Sequence, residues 1–322
     1  MTYNKEIQDR LKTNEIKVNP YRLYVGKWDG IWDQDEFCKI REKITKSFKD
    51  LVFDEAPHKY YLNGEEITCV SNVTHLFQEK FDVDGTAQIL FEKYYNDPKS
   101  KYHGMTPEEI KKSWKDISGF ACSHGTTRHL WAEGAFYAMT RQYDLIPDEF
   151  KCRLKTDENG NDYYEAIYAK EVSAAKYWDD MPKCIVPILA ETKVYDTDLK
   201  YSGTFDLTSW YSARLDGKDN SLSGLLVQDW KSNRDLYKNF NGKKLLKPFD
   251  ELLDMPLSLY KLQLSAYQSC IDKIGIKTVG RRIIWMLPTG DYEKIRVEHY
   301  VPVLRDALTK IIKENNGKYP SH

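Results

Sequence analysis

Residues 201–213 read YSGTFDLTSWYSA, and residues 222–233 read LSGLLVQDWKSN. Both segments are rich in β-branched and aromatic residues, both have strand length, and a polar turn separates them. They predict adjacent strands of one hairpin. The run GLLVQDW is apolar enough for a central strand, and an acid inside such a strand needs a reason to be buried. Side chains two apart on a strand share a face, so Asp229 and Lys231 point the same way. With Asp206 beside them across the hairpin, two carboxylates and one ammonium converge.

Working outward, CIVPILAETKVYD (184–196) is a third β-rich segment. A helix is expected at about 254–273, then two strands, TVGRRIIWMLPT and EKIRVEHYVPV, and a final helix at about 304–315. Upstream, HKYYLNGEEITCV (58–70) carries Asn63-Gly64 between two β-rich runs, a strong hairpin signal. A short helix follows from Ser71, capped by Ser71 or Asn72. Residues 85–117 read as helical with a break, after which Thr106, Pro107 and Glu109 form a capping box. Residues 120–140 form the next helix and residues 162–180 another. The first 48 residues read as an N-terminal extension ending in a helix near 34–48. The remainder, 49–322, reads as one domain with a helical insertion at about 85–120. The whole is α/β, a mixed central sheet flanked by helices.

The chain has 322 residues, 41% hydrophobic and 30% charged, enough to bury a sizeable core. No apolar run approaches the ~18 residues of a membrane helix, and the start has no secretory apolar segment. A net charge of -1, from 48 basic and 49 acidic residues, excludes a basic coat over the whole surface but not a local basic groove. None of the six cysteines lies two to four residues from another, which excludes zinc ribbons and a C-x-x-C pair.

Carboxylates a few ångströms apart repel strongly unless a cation lies between them. Hard oxygen ligands in that arrangement select Mg²⁺ or Mn²⁺. A metal to polarise phosphate, an activated water and charge relief for the leaving oxygen are the parts that phosphodiester hydrolysis needs. The tripeptide Asp/Glu-x-Lys alone says little, because it occurs eight times here. Glu191-Thr192-Lys193 also lies on an expected strand, but it lacks the preceding Gly-x-x-Asp strand that Gly203 to Asp206 supply for Asp229. His129 and Glu133, four apart in GTTRHLWAEG, share one helix face, as do Gln263 and Tyr267 in KLQLSAYQ. Taken singly, a helical histidine is as often structural, and the Gln263/Tyr267 pair reads as ordinary amphipathic decoration.

Taken in order, GTTRH with Glu133, YSGTFD, QDWK and QLSAYQ span residues 125–267 and resemble the RecB-like branch of the PD-(D/E)XK nuclease superfamily. EEITCVSNVTHLF is similar to the opening of phage exonucleases and of the mitochondrial genome maintenance exonuclease. The resemblance covers roughly residues 58–300 and leaves out the first 48. It implies a restriction-endonuclease-like core. It also implies Asp206, Asp229, His129 and the Trp230 carbonyl as ligands of Mg²⁺ or Mn²⁺, and Lys231 as the catalytic lysine. Gln263 and Tyr267 would support the site and the DNA backbone beside it. Glu191 matches an acid often found on the strand before Gly-x-x-Asp. Only Cys270 lies downstream, so no iron–sulfur cluster is expected, and no phosphate-binding Gly-Lys loop announces a nucleotide.

The lysine-rich stretch KNFNGKKLLKPF, with Lys243 and Lys244, is the expected DNA contact. The expectation is a metal-dependent deoxyribonuclease, an exonuclease on free ends, single-stranded ends included, serving recombination, repair or replication. The expected setting is the cytoplasm of a bacterial cell, with a phage as a candidate source and a recombination or replication protein as a candidate partner. The alternatives are a structure-specific endonuclease, a catalytically silent nucleic-acid-binding protein, and a metal-free glycosidase using Glu191 and Asp206.

Overall fold

The computed structural model describes residues 16–54, 57–218 and 222–320, apart from the side chains of residues 122–124, 126 and 128. The part of the expected extension before residue 16 lies outside them, as does the Cys122 side chain. In chain order the elements are β1 (Lys17–Tyr24), α1 (Asp35–Ser47), β2 (Leu51–Asp54), β3 (Lys59–Leu62), β4 (Glu65–Cys69), α2 (Val70–His75), α3 (Val83–Tyr94) and α4 (Pro107–Met139). They continue with α5 (Asp148–Lys151), β5 (Leu154–Thr156), β6 (Asp162–Tyr168), α6 (Ala169–Asp180), β7 (Ile185–Asp196), β8 (Tyr201–Tyr211) and β9 (Gly224–Lys231). The last are α7 (Pro256–Lys273), β10 (Thr278–Met286), β11 (Tyr292–Arg296) and α8 (Val301–Glu314). The architecture is mixed α/β. No helix among the described residues is long and apolar enough to cross a membrane.

The central sheet runs β11-β10-β9-β8-β4-β3-β2, with β7 also paired to β8. The β8–β9 and β7–β8 pairs are antiparallel, whereas β9–β10 and β4–β8 are parallel. β7 occupies one edge of β8 along its length, from Ile185↔Tyr211 to Asp196↔Tyr201. The other edge is shared: β9 pairs with Leu207 to Tyr211, and β4 pairs with Tyr201 and Ser202. Between them, Gly203 to Asp206 have no strand neighbour on that edge among the described residues. A gap therefore opens in the middle of the sheet at Asp206. Asn63 and Gly64 take the positive φ of 52° and 85° that a tight hairpin between β3 and β4 requires.

Four local expectations are corrected. Residues 162–180 are not one helix. Asp162 to Tyr168 form β6, which pairs with β1 and β5 in a separate three-stranded sheet. DYYEAIY satisfies either period, and pairing with residues 17–24 decides it. The first 48 residues thus contribute a strand as well as the expected helix. The break expected between 117 and 120 does not exist, since α4 runs unbroken for 33 residues from the Thr106/Glu109 capping box. α2 begins one residue early, at Val70, with Cys69 in the N-cap position and no side-chain cap. The last expected strand stops at Arg296, and Val301 already starts α8.

Two of the three glycines of α4, Gly119 and Gly134, have environments that make opposite demands. A Cβ on Gly119 would meet nothing within 4 Å, whereas one on Gly134 would lie 2.5 Å from Phe150 Cγ. Phe150 is itself buried and stacked on Tyr164, with ring centroids 4.3 Å apart. Gly119→Ala should therefore stabilise the protein by about 1 kcal/mol through helix propensity alone. Gly134→Ala should destabilise it by about 1–3 kcal/mol, because overpacking outweighs that gain. Urea unfolding followed by circular dichroism distinguishes the two, and shifts of the same sign would contradict this packing.

Candidate active site

The gap at Asp206 collects the titratable groups. The Asp206 carboxylate reaches across it and accepts a hydrogen bond from the Trp230 backbone N–H at 2.6 Å. Its other oxygen lies 3.4 Å from His129 Nδ1 on α4. On β9 the side chains alternate as the strand period requires. Tyr177 of α6 bonds Gln228, and its ring stands edge-on to Trp230 at 5.1 Å, so Gln228 and Trp230 face α6. Asp229 and Lys231 face the other way and form an ion pair. The Lys231 ammonium also sits 4.3 Å above the Tyr260 ring of α7.

Glu191 lies on β7 between Ala190, which pairs with Leu207, and Thr192, which pairs with Phe205, so it stands opposite Asp206. Its φ is +45°, a left-handed backbone conformation that costs a non-glycine residue energy and interrupts the regular strand here. Candidate ligand atoms of His129, Glu191 and Asp206 all lie within 4.8 Å of one another. Such a group is compatible with a divalent cation, for the set joins two hard carboxylates to one imidazole. Asp229 lies outside that group of three. Trp230 meets it through its N–H, which donates to Asp206.

Electrostatics at the site follow from burying these charges together. Burial and the Asp206 charge push Glu191 up to about 8. Burial and Asp206 likewise push Asp229 up to about 7, against the pull of Lys231. Burial alone would raise Asp206, but His129, Lys231 and the Trp230 N–H outweigh it and bring the carboxyl to about 2. For His129, burial is outweighed by Asp206, and the imidazole rises to about 9. The Asp229 charge holds Lys231 well above the ordinary lysine value despite burial.

The rival tripeptide differs in kind, because Lys193 is exposed whereas Lys231 and Asp229 are 13% and 2% exposed. Gln263 Nε2 donates to the Tyr267 hydroxyl at 2.9 Å. A Cβ on Gly203 would lie 2.8 Å from that Tyr267 ring, which explains the glycine of Gly-x-x-Asp as a seat for the tyrosine. Lys243 is paired with Glu79 at 3.1 Å, and Lys244 forms a bridge with Leu253.

Two residues were missed in the sequence. Tyr260, under Lys231, shares a helix face with Gln263 and Tyr267 at i, i+3 and i+7, a legible signal. Tyr137 hydrogen-bonds Glu133 and feels Glu191, and it lies in the row 129, 133, 137 along α4. In sequence comparisons no family model matches this chain, and no curated protein matches it at a significant level.

Glu191 and Asp229 lie above their ordinary values, so their protonated forms stabilise the metal-free fold at low pH. That contribution is lost as pH rises through about 8 and about 7. His129 acts in the same direction, its contribution lost through about 9. Asp206 acts oppositely, losing its contribution only as pH falls through about 2. Chelated protein should therefore lose stability steadily from about pH 5 to 9 in urea titrations, and a rise over that range would contradict these shifts. Adding Mn²⁺ near pH 7 in weak buffer should release protons, because His129 and Glu191 are protonated there and ligands must deprotonate. A pH indicator measures the release.

Proposed function

We propose that this chain is a metal-dependent nuclease of the PD-(D/E)XK type that hydrolyses DNA phosphodiester bonds, working inward from free ends. One observation carries the reading. In the unpaired gap of the central sheet, Asp206, Asp229 and Lys231 meet a third carboxylate, Glu191, and a helical imidazole, His129. Carboxylates drawn together out of water repel one another, and a fold that sets three of them against only two cations, His129 and Lys231, is provisioned for a further cation.

His129, Glu191 and Asp206 would hold Mg²⁺ or Mn²⁺, with Asp229 beside them. When bound, such an ion polarises the phosphate and lowers the pKa of water. The chain's own residues do the rest. The Trp230 N–H fixes one Asp206 oxygen and leaves the other free to turn toward His129 and the ion. Lys231 stays protonated at neutral pH, because Asp229 holds its charge. Its part is then to orient the attacking water and to stabilise negative charge on the phosphate, not to accept a proton. Tyr260 beneath it and Tyr267 beside Gly203 keep that face of the gap packed. A cytoplasmic setting, and a partner in recombination or replication, belong to the same proposal.

End-labelled linear DNA should be degraded with Mg²⁺ or Mn²⁺, closed circles should resist, and EDTA should abolish the reaction. Full activity in chelator would sink the reading, and rapid cutting of circles would make the enzyme an endonuclease. Asp229→Asn should abolish cleavage. Lys231→Ala should lose on the order of 10²-fold in rate through lost charge stabilisation, while still releasing protons on Mn²⁺ addition, because lysine is not a ligand.

A further inference from the structure

Beyond Lys231 the chain leaves the sheet along a line of aromatic rings. Trp285 of β10 pairs with Lys231 in the β9–β10 ladder. Its indole N–H donates to the Asn233 carbonyl at 2.8 Å, and the Tyr260 hydroxyl donates to the Asn233 side chain at 3.1 Å. Tyr237 then packs edge-on against Trp285, with centroids 6.0 Å apart. Three residues further, Phe240 carries the Lys238 ammonium 4.8 Å from its ring. Tyr237 is 49% exposed and Phe240 64% exposed in the loop that follows β9. Leu236 beneath them is fully buried, and Asn239 bonds the carbonyls of Lys243 and Asp254.

Charge on this segment is equally specific. Residues 231–247 hold six basic side chains and one acidic one, in a chain whose net charge is -1. Lys231 and Lys243 are spent on Asp229 and Glu79. Arg234, Lys238, Lys244 and Lys247 have no carboxylate partner among the described residues. Exposed flat rings alternating with free cations, continuous with a phosphate-cutting centre, suit one class of occupant: an extended polynucleotide strand whose bases are unpaired. A duplex keeps its bases stacked on each other and offers the rings nothing.

We propose that Tyr237 and Phe240 form a stacking track that takes unpaired bases of a DNA strand and leads its backbone to Lys231, so that the strand cut is single. This rests on the nuclease reading for the direction of the track, and its test separates the two. The probe is fluorescence anisotropy of labelled oligothymidylate, and of a hairpin duplex of equal length, in EDTA so that nothing is cut. The wild-type protein should prefer the single strand. Phe240→Ala should weaken single-strand binding about tenfold and duplex binding by less than about twofold, the loss of one stacked base. Phe240→Tyr, which keeps a ring, should restore it. Lys238→Ala should reduce the salt dependence of binding.

Wild-type affinity for the single strand in a Tyr237→Ala/Phe240→Ala double variant would overturn the track. So would equal weakening toward duplex in Phe240→Ala, or no single-strand preference in the wild type. The nuclease reading is judged separately, by Mn²⁺-dependent hydrolysis of bis(p-nitrophenyl) phosphate by the wild type, a diester too small to span the track. Failure there leaves the binding result to decide the track alone.

Discussion

The constraint on which this structure turns is the repulsion among carboxylates gathered where the central sheet is interrupted. β8 has β7 on one edge throughout, but on the other it passes from β9 to β4 and leaves Gly203 to Asp206 without a strand partner on that edge among the described residues. Asp206 fills the gap and satisfies part of the missing pairing through the Trp230 N–H. Bringing Glu191 and Asp229 to the same place raises both, and the protein offsets that cost with His129 and Lys231. Each cation answers a specific anion, His129 beside Asp206 and Lys231 on Asp229. A divalent ion would relieve what they leave uncompensated.

The surrounding elements fix that arrangement. Tyr267 packs against the bare face of Gly203 and the Phe205 ring, whose centroid is 5.4 Å away, so α7 sets the position of β8 at the gap. Tyr60 of β3 closes the far side through a hydroxyl 3.0 Å from Thr204 Oγ1. α4 carries His129 to the gap 22 residues beyond Pro107, its first residue. α6 holds the back of β9 through Tyr177 on Gln228 and Trp230.

Much of the centre was legible because strand periodicity is strict. The apolar run 224–230 and the Asn63-Gly64 turn mark strands, the run singles out Asp229-Trp230-Lys231 from the other seven such tripeptides, and the fold carries all three features. Glu191 was legible as an acid on a strand. Its position opposite Asp206 is set by the β7–β8 register, and its left-handed backbone is announced by no residue type. The small sheet was not legible. β1 contains Pro20 and shifts register between Lys17 and Tyr21, and its partner β6 runs directly into α6, so the joint segment reads as one helix. The continuity of α4 was hidden for a similar reason. Gly119 is tolerated there because tertiary packing on either side outweighs a cost of about 1 kcal/mol.

The central claim is that the three side chains nearest the gap form a site for one divalent ion. The most direct measurement is an anomalous difference map from crystals grown with Mn²⁺. The account predicts a single strong peak bounded by His129, Glu191 and Asp206, with Lys231 still paired to Asp229 or turned toward the ion's water. A map with no peak there, at Mn²⁺ concentrations that occupy other sites on the molecule, would contradict it.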